Sequence, residues 1–157
     1  MLFARQSAED GKGDTAMLIS SDKFNGLQHG RDGSEHTICS VEFDADRYGV
    51  YEVKGHLALR TTTWVQNTYA RIRVRNSNRT LLYENVIEFS GIFGERSGDK
   101  QVNVPFHFLY FGTGAGESLS LTVQWNDPID TSRTLPGAGL WVTQCDDLAE
   151  DDGESPN

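Results

Sequence analysis

The segment over residues 118–125 alternates without a break: Leu119, Leu121, Val123 and Trp125 fall on one side, Ser118, Ser120, Thr122 and Gln124 on the other. A period of two marks an extended strand with one buried and one wet face, because successive side chains of a strand point to opposite sides of its sheet. The pattern recurs along the chain. Cys39, Val41 and Phe43 share a face over residues 37–43, and Tyr51, Val53, Leu57 and Leu59 do so over residues 51–60, with Glu52, Lys54 and His56 opposite. Ala70, Ile72 and Val74 alternate with Arg71, Arg73 and Arg75, and Asn76-Ser77-Asn78 then turns the chain into residues 80–87, the expected hairpin partner. Val102, Val104, Phe106, Phe108 and Tyr110 share one face of the most aromatic segment; Pro105 within it has no N–H for a ladder, which predicts an edge strand or a bulge. A long loop over residues 126–139 precedes a last strand over residues 140–145, and no segment shows a helical period of useful length.

Seven or eight short strands separated by turns predict an all-β, antiparallel β-sandwich, and a jelly roll fits their spacing best. A chain of 157 residues suits one domain, which at this size buries about 70% of its unfolded surface without metals or disulfides. The apolar residues concentrate between Thr37 and Cys145. Residues 1–33 therefore read as an extended N-terminal arm with one strand-like anchor at Ala16-Met17-Leu18-Ile19, residues 34–146 as the jelly-roll domain, and residues 147–157 as an acidic C-terminal tail. Leu2, Phe3, Met17, Leu18, Ile19, Phe24 and Leu27 cannot build a core of their own, so they are the arm's candidates for contact with the domain or with a partner.

A net charge of −9 argues against nucleic-acid binding, which needs a concentrated basic face. No run of about 18 apolar residues offers a membrane span, and the first ten residues lack the basic and apolar regions of a secretory signal, so the expectation is synthesis and use without crossing a membrane. Cys39 and Cys145 form no CxxC or zinc pattern; they read as buried thiols, with a disulfide as the rival reading if the first and last strong strands pair. His29, His36, His56 and His107 sit in no nucleophile or metal spacing. The carboxylates after Cys145 lack the ligand order of a calcium loop, and the glycines over residues 112–116 lead into a strand rather than a phosphate-cradling helix. The expectation is a binding protein with no catalytic residue, metal or cofactor.

The residues Gly49-Val50-Tyr51-Glu52-Val53, the strand over residues 117–125 entered from a Gly-rich turn, and Gly139-Leu140-Trp141-Val142 resemble three landmarks of the C1q/tumour-necrosis-factor-like jelly roll. That resemblance implies a homotrimer packed through aromatic residues, for which Trp64, Tyr69, Phe89, Phe93, Tyr110 and Phe111 are available. Small jelly rolls with arms are similar to the cement, or decoration, proteins of tailed-bacteriophage capsids. This implies a structural protein made in the host cytoplasm and located on the virion, with the major capsid protein or another virion protein as partner and neither nucleic acid nor membrane. Deleting the first 30 residues is then expected to leave a folded domain that binds its partner less well.

The row Arg71, Arg73 and Arg75, with Arg79 beyond the turn, is the strongest local charge anomaly in this acidic chain. Two readings stand: with Trp64 and Tyr69 it forms a subunit or partner interface meeting carboxylates on a neighbour, or it is a solvated face paired across the sheet with Glu84 and Glu88. The rival function class is a carbohydrate- or receptor-binding jelly-roll module of a phage tail or fibre, with Trp64 or Trp141 stacking on sugars. Burial of these aromatics at a subunit interface or their exposure in a groove separates the two. A cupin-type enzyme would need a His/carboxylate cluster at inward positions that read here as apolar.

Overall fold

In the computed structural model, which describes residues 16–29, 33–61, 68–89, 100–126 and 132–145, the alternating segments become strands that bury their apolar side. Among the described residues ten strands run in order: β1 (Ala16–Phe24), β2 (Gln28–His29), β3 (Glu35–Ala45), β4 (Val50–Thr61), β5 (Tyr69–Arg75), β6 (Leu81–Glu88), β7 (Lys100–Phe111), β8 (Ala115–Asn126), β9 (Ser132–Thr134) and β10 (Ala138–Cys145). They make two sheets. In the first, β1 pairs with β10 and β10 with β4, whose other side pairs with β7 from Val50↔Phe111 to Thr61↔Lys100; β9 continues beyond β10 along β4 and carries β2. The second has the order β3-β8-β5-β6. All pairings are antiparallel, and the chain crosses between sheets from β2 to β3, β3 to β4, β4 to β5, β6 to β7, β7 to β8 and β8 to β9. This wrapped, antiparallel two-sheet sandwich is a jelly roll.

The inward positions read from the alternation form the core between the sheets. Leu119, Leu121 and Val123 are fully buried, as are Ala70, Ile72 and Val74 and, from the facing sheet, Val53, Leu57 and Leu59. Trp125 stacks on Phe89 at 5.6 Å, and its buried indole N–H donates to Thr134 Oγ1 at 3.2 Å, which in turn donates to Gln28 Oε1 at 2.9 Å. A buried indole donor must find such an acceptor; here it ties β8 of one sheet to β9 and β2 of the other. Gly55 sits where a side chain would collide with the Phe106 ring, its Cβ falling 2.1 Å from Cζ, so the glycine lets β4 and β7 pass with the aromatic ring between the sheets. Pro105 stands on β7 opposite His56, and among the described residues β7 pairs with β4 alone: the edge position, without a bulge, accommodates the missing donor.

Two expectations change. Residues 16–29 are not arm: β1 lies along β10 over eight residue pairs, Phe24 packs on the core, and the Asp22 carboxylate accepts the N–H of Ser40 on β3, joining the two sheet edges. The strand extends past Ile19 because Ser20–Lys23, polar as they are, still supply ladder groups at an edge. Removing 30 residues would take away β1 and β2 and would not leave the domain intact. Phe89 and Tyr110, offered for subunit contact, are core residues at 0% and 8% exposure. The thiol reading of Cys39 and Cys145 stands over the disulfide: they lie on strands of different sheets that do not pair, Cys39 buried and Cys145 half-buried. Leu2, Phe3, Trp64, Phe93 and the acidic tail lie outside the described residues.

Candidate interaction surface

The outer faces of the two sheets are two surfaces on which this fold can meet a partner. On the second sheet, burying Ala70, Ile72 and Val74 forces Arg71, Arg73 and Arg75 outward in one row. The row is committed within the chain. Arg73 Nη1 donates to Glu35 Oε1 at 2.9 Å and its Nε to Glu84 Oε2 at 2.9 Å; Arg75 Nε donates to Glu35 Oε2 at 3.0 Å. Thr122 Oγ1 adds a 2.6 Å bond to Glu35, and Gln124 Oε1 accepts from Arg73 at 2.9 Å. The Arg75 hydrogen bond, then that of Thr122 and the arginine charges, hold the Glu35 carboxyl down at about 2 against the opposing effect of partial burial.

Of the two readings of this row, the intramolecular one describes Arg73 and Arg75. Glu84 is a partner, as read from the sequence; Glu88 instead lies in register with Tyr69. Arg71 is the loosest member, 3.6 Å from Glu84 and 5.3 Å from the Tyr69 ring, and Arg79 occupies an exposed turn position with a positive φ of 66°. Glu35 escaped the sequence reading because it precedes the arginines by 38 and 40 residues and no local spacing links them.

The first sheet presents a different outer face. The β7 residues turned away from the core are Pro105, His107, Leu109 and Phe111, and beside them on β4 stand His56, Lys54, Glu52 and Val50. Leu109 is 53% and Phe111 64% exposed; Tyr48, in the turn whose Gly49 carbonyl accepts the N–H of Gly112, is 80% exposed. This turn admits no side chain at position 112, where a Cβ would fall 1.7 Å from the Asp46 carbonyl oxygen. Of the residues assigned to the arm interface, Met17, Ile19 and Leu27 are exposed, Leu18 is half-buried, and Phe24 belongs to the core margin.

Among the described residues no three of His, Cys, Asp and Glu come together in a way that could hold a metal ion. His107 is 72% exposed, with Nδ1 3.6 Å from Glu52, and the Cys39 thiol is pushed up to about 12 by burial and then by Asp22, which makes it a poor nucleophile at neutral pH.

No known protein family and no curated protein matches the chain. Solved structures do. A chain of the T13 IBDV viral particle shares 16% identity over 84% of this chain with a TM-score of 0.52, and a chain of the infectious bursal disease virus Gt strain shares 18% over 84% with a TM-score of 0.50. Eiger TNF from S. frugiperda aligns over 83% of this chain at 12% identity, with a TM-score of 0.49 and 94% of its own length covered. The chain spans about a third of the viral chains it resembles, 31% and 33% of their lengths. At these identities the likeness is one of fold, the two-sheet jelly roll.

Proposed function

We propose that this chain is a structural, non-catalytic protein of a viral shell: a decoration protein, of the kind found on tailed-bacteriophage capsids, that acts as a homotrimer bound to shell subunits on the virion surface. The observation that carries this reading is the exposed apolar group Tyr48, Leu109 and Phe111 at one end of the first sheet's outer face. Exposed apolar side chains grouped on one face mark a protein contact. Three copies meeting there would cover these residues and present three identical sets of the remaining exposed groups, Met17, Ile19 and Leu27 among them, to the shell. Weak contacts repeated on one rigid trimer act at high effective concentration and add up to firm attachment. The fold's likeness to chains of the IBDV viral particle supports a place in a shell, and a net charge of −9 suits a surface that does not hold nucleic acid.

Light scattering on the purified protein, followed by co-sedimentation with shells of the virus that encodes it, tests the reading. The expected mass is about three times 17.5 kDa, falling to 17.5 kDa in the Leu109→Ser/Phe111→Ser double variant, which also loses shell binding. A wild-type monomer that leaves shells untouched overturns the proposal.

A further inference from the structure

On the outer face of the first sheet, pairing places Trp141 of β10, Lys54 of β4 and His107 of β7 in one cross-strand row, with Gly139, His56 and Pro105 two residues along. Over these paired strands lies an open groove of about 510 Å³, lined by Lys54, Gly55, Pro105, Phe106, His107 and Trp141. That volume falls within the range of roughly 300–1,000 Å³ typical of small-ligand sites. Its shape depends on two glycines. Gly55 and its paired neighbour Phe106 send the bulk of this stretch into the core, leaving strand backbone as floor. At Gly139 a Cβ would stand 2.6 Å from Cη2 of Trp141, so the indole rests over the glycine's own backbone; any other residue would lift it off the sheet.

We propose that this groove binds a pyranose ring of an oligosaccharide. Its middle is apolar, made by the indole and the proline ring, while its rim is polar and wet: Lys54 and His107 are 56% and 72% exposed, and both are gathered toward Glu52, at 3.8 and 3.6 Å. A wholly apolar ligand would leave much of its surface in water in so open a groove, and a small anion would find no desolvated donor there. A pyranose has the complementary construction. Its C–H face packs on the half-buried indole, and its peripheral hydroxyls both donate and accept, matching the Lys54 ammonium and the His107 imidazole at the rim. The groove sits at Pro105–His107, a separate stretch of β7 from Leu109 and Phe111.

The test is an NMR titration of the full chain labelled with nitrogen-15, using chitotetraose, cellotetraose, maltotetraose and mannotetraose as probes. The signals followed are the Gly55 and Gly139 amides and the Trp141 indole N–H. At least one probe is expected to shift them with a Kd on the order of 1 mM, weakening at least about tenfold in Trp141→Ala, less in Trp141→Phe, and not at all in Phe111→Ser. Because Trp141 faces outward, the unchanged dispersion of core signals separates lost binding from lost folding. The proposal is overturned if none of the four shifts these signals, if the shifts persist in Trp141→Ala, or if raising the protein concentration without sugar broadens the groove signals, which would seat a second copy there.

Discussion

The two sheets of this sandwich bury their inner faces alike and treat their outer faces in opposite ways. The outer face of β3-β8-β5-β6 is stitched by Glu35, Glu84, Arg73, Arg75 and Thr122, each charge answered by another side chain of the same molecule. The outer face of β1-β10-β4-β7 leaves Leu109 and Phe111 in water and holds the Trp141 groove open. The lesson concerns arginine rows in acidic proteins. A row of cations looks like a docking surface when read along the strand, yet forked guanidiniums satisfied by carboxylates from distant strands act as internal fasteners.

The largest expected effect breaks the first sheet itself. Deletion through Phe24 strips β1 from β10, exposing that strand's edge and losing the Asp22 bond to β3; we expect cooperative unfolding to vanish or stability to fall by more than about 5 kcal/mol in urea titrations. A domain of unchanged stability would return residues 16–24 to the status of an arm. Next, Gly55→Ala forces the Phe106 ring from its place against Tyr83, where the two stack at 4.6 Å, at a cost of about 1–3 kcal/mol by chemical denaturation. An alanine tolerated without loss would show that β7 can slide away from β4 at little cost.

The stitched face is sharpened by Glu35→Gln, expected to lower stability at pH 7 by about 1–2 kcal/mol once solvent screening is allowed for. The pH dependence has a definite sign. Glu35 is held at about 2, below its ordinary 4.5, so its contribution is complete above about pH 4.5 and disappears as pH falls toward 2. The wild-type advantage over Glu35→Gln should shrink through that window; an advantage independent of pH would remove the charge from the explanation. The smallest effect belongs to the open face: Phe111→Ser, at a 64% exposed site, should change the thermal or urea midpoint by no more than about 0.5 kcal/mol, even as it weakens self-association. A large loss of stability would place Phe111 in the fold rather than at a contact.

Much of the sandwich was legible in the chain because a strand's alternation is local. Residues 118–125 and 69–75 carry their inward and outward sets on their face, and the turn at Asn76 leads into β6 as its sequence implies, with Asn76 Oδ1 accepting the N–H groups of Asn78 and Thr80. The edge role of Pro105 followed from a missing donor. β1 was less legible: after Leu18 and Ile19 its residues are polar, and what makes them a strand is the open edge of β10, a feature of the assembled sheet rather than of any window of sequence.

By itself, then, the sequence determined the strand class, the inward residues of the central strands and the acidic, helix-poor character of the chain, all consequences of side-chain period and composition. Only the tertiary structure decided which outward residues answer one another. Glu35 meets Arg73 and Arg75, Thr134 meets Trp125 and Gln28, and Trp141 lies down over Gly139 beside Pro105 and His107. Most of these meetings span tens of residues and depend on sheet order and register, which local spacing does not encode. The same reason moved Phe89 and Tyr110 into the core: aromatic residues read as available until the facing sheet is there to cover them.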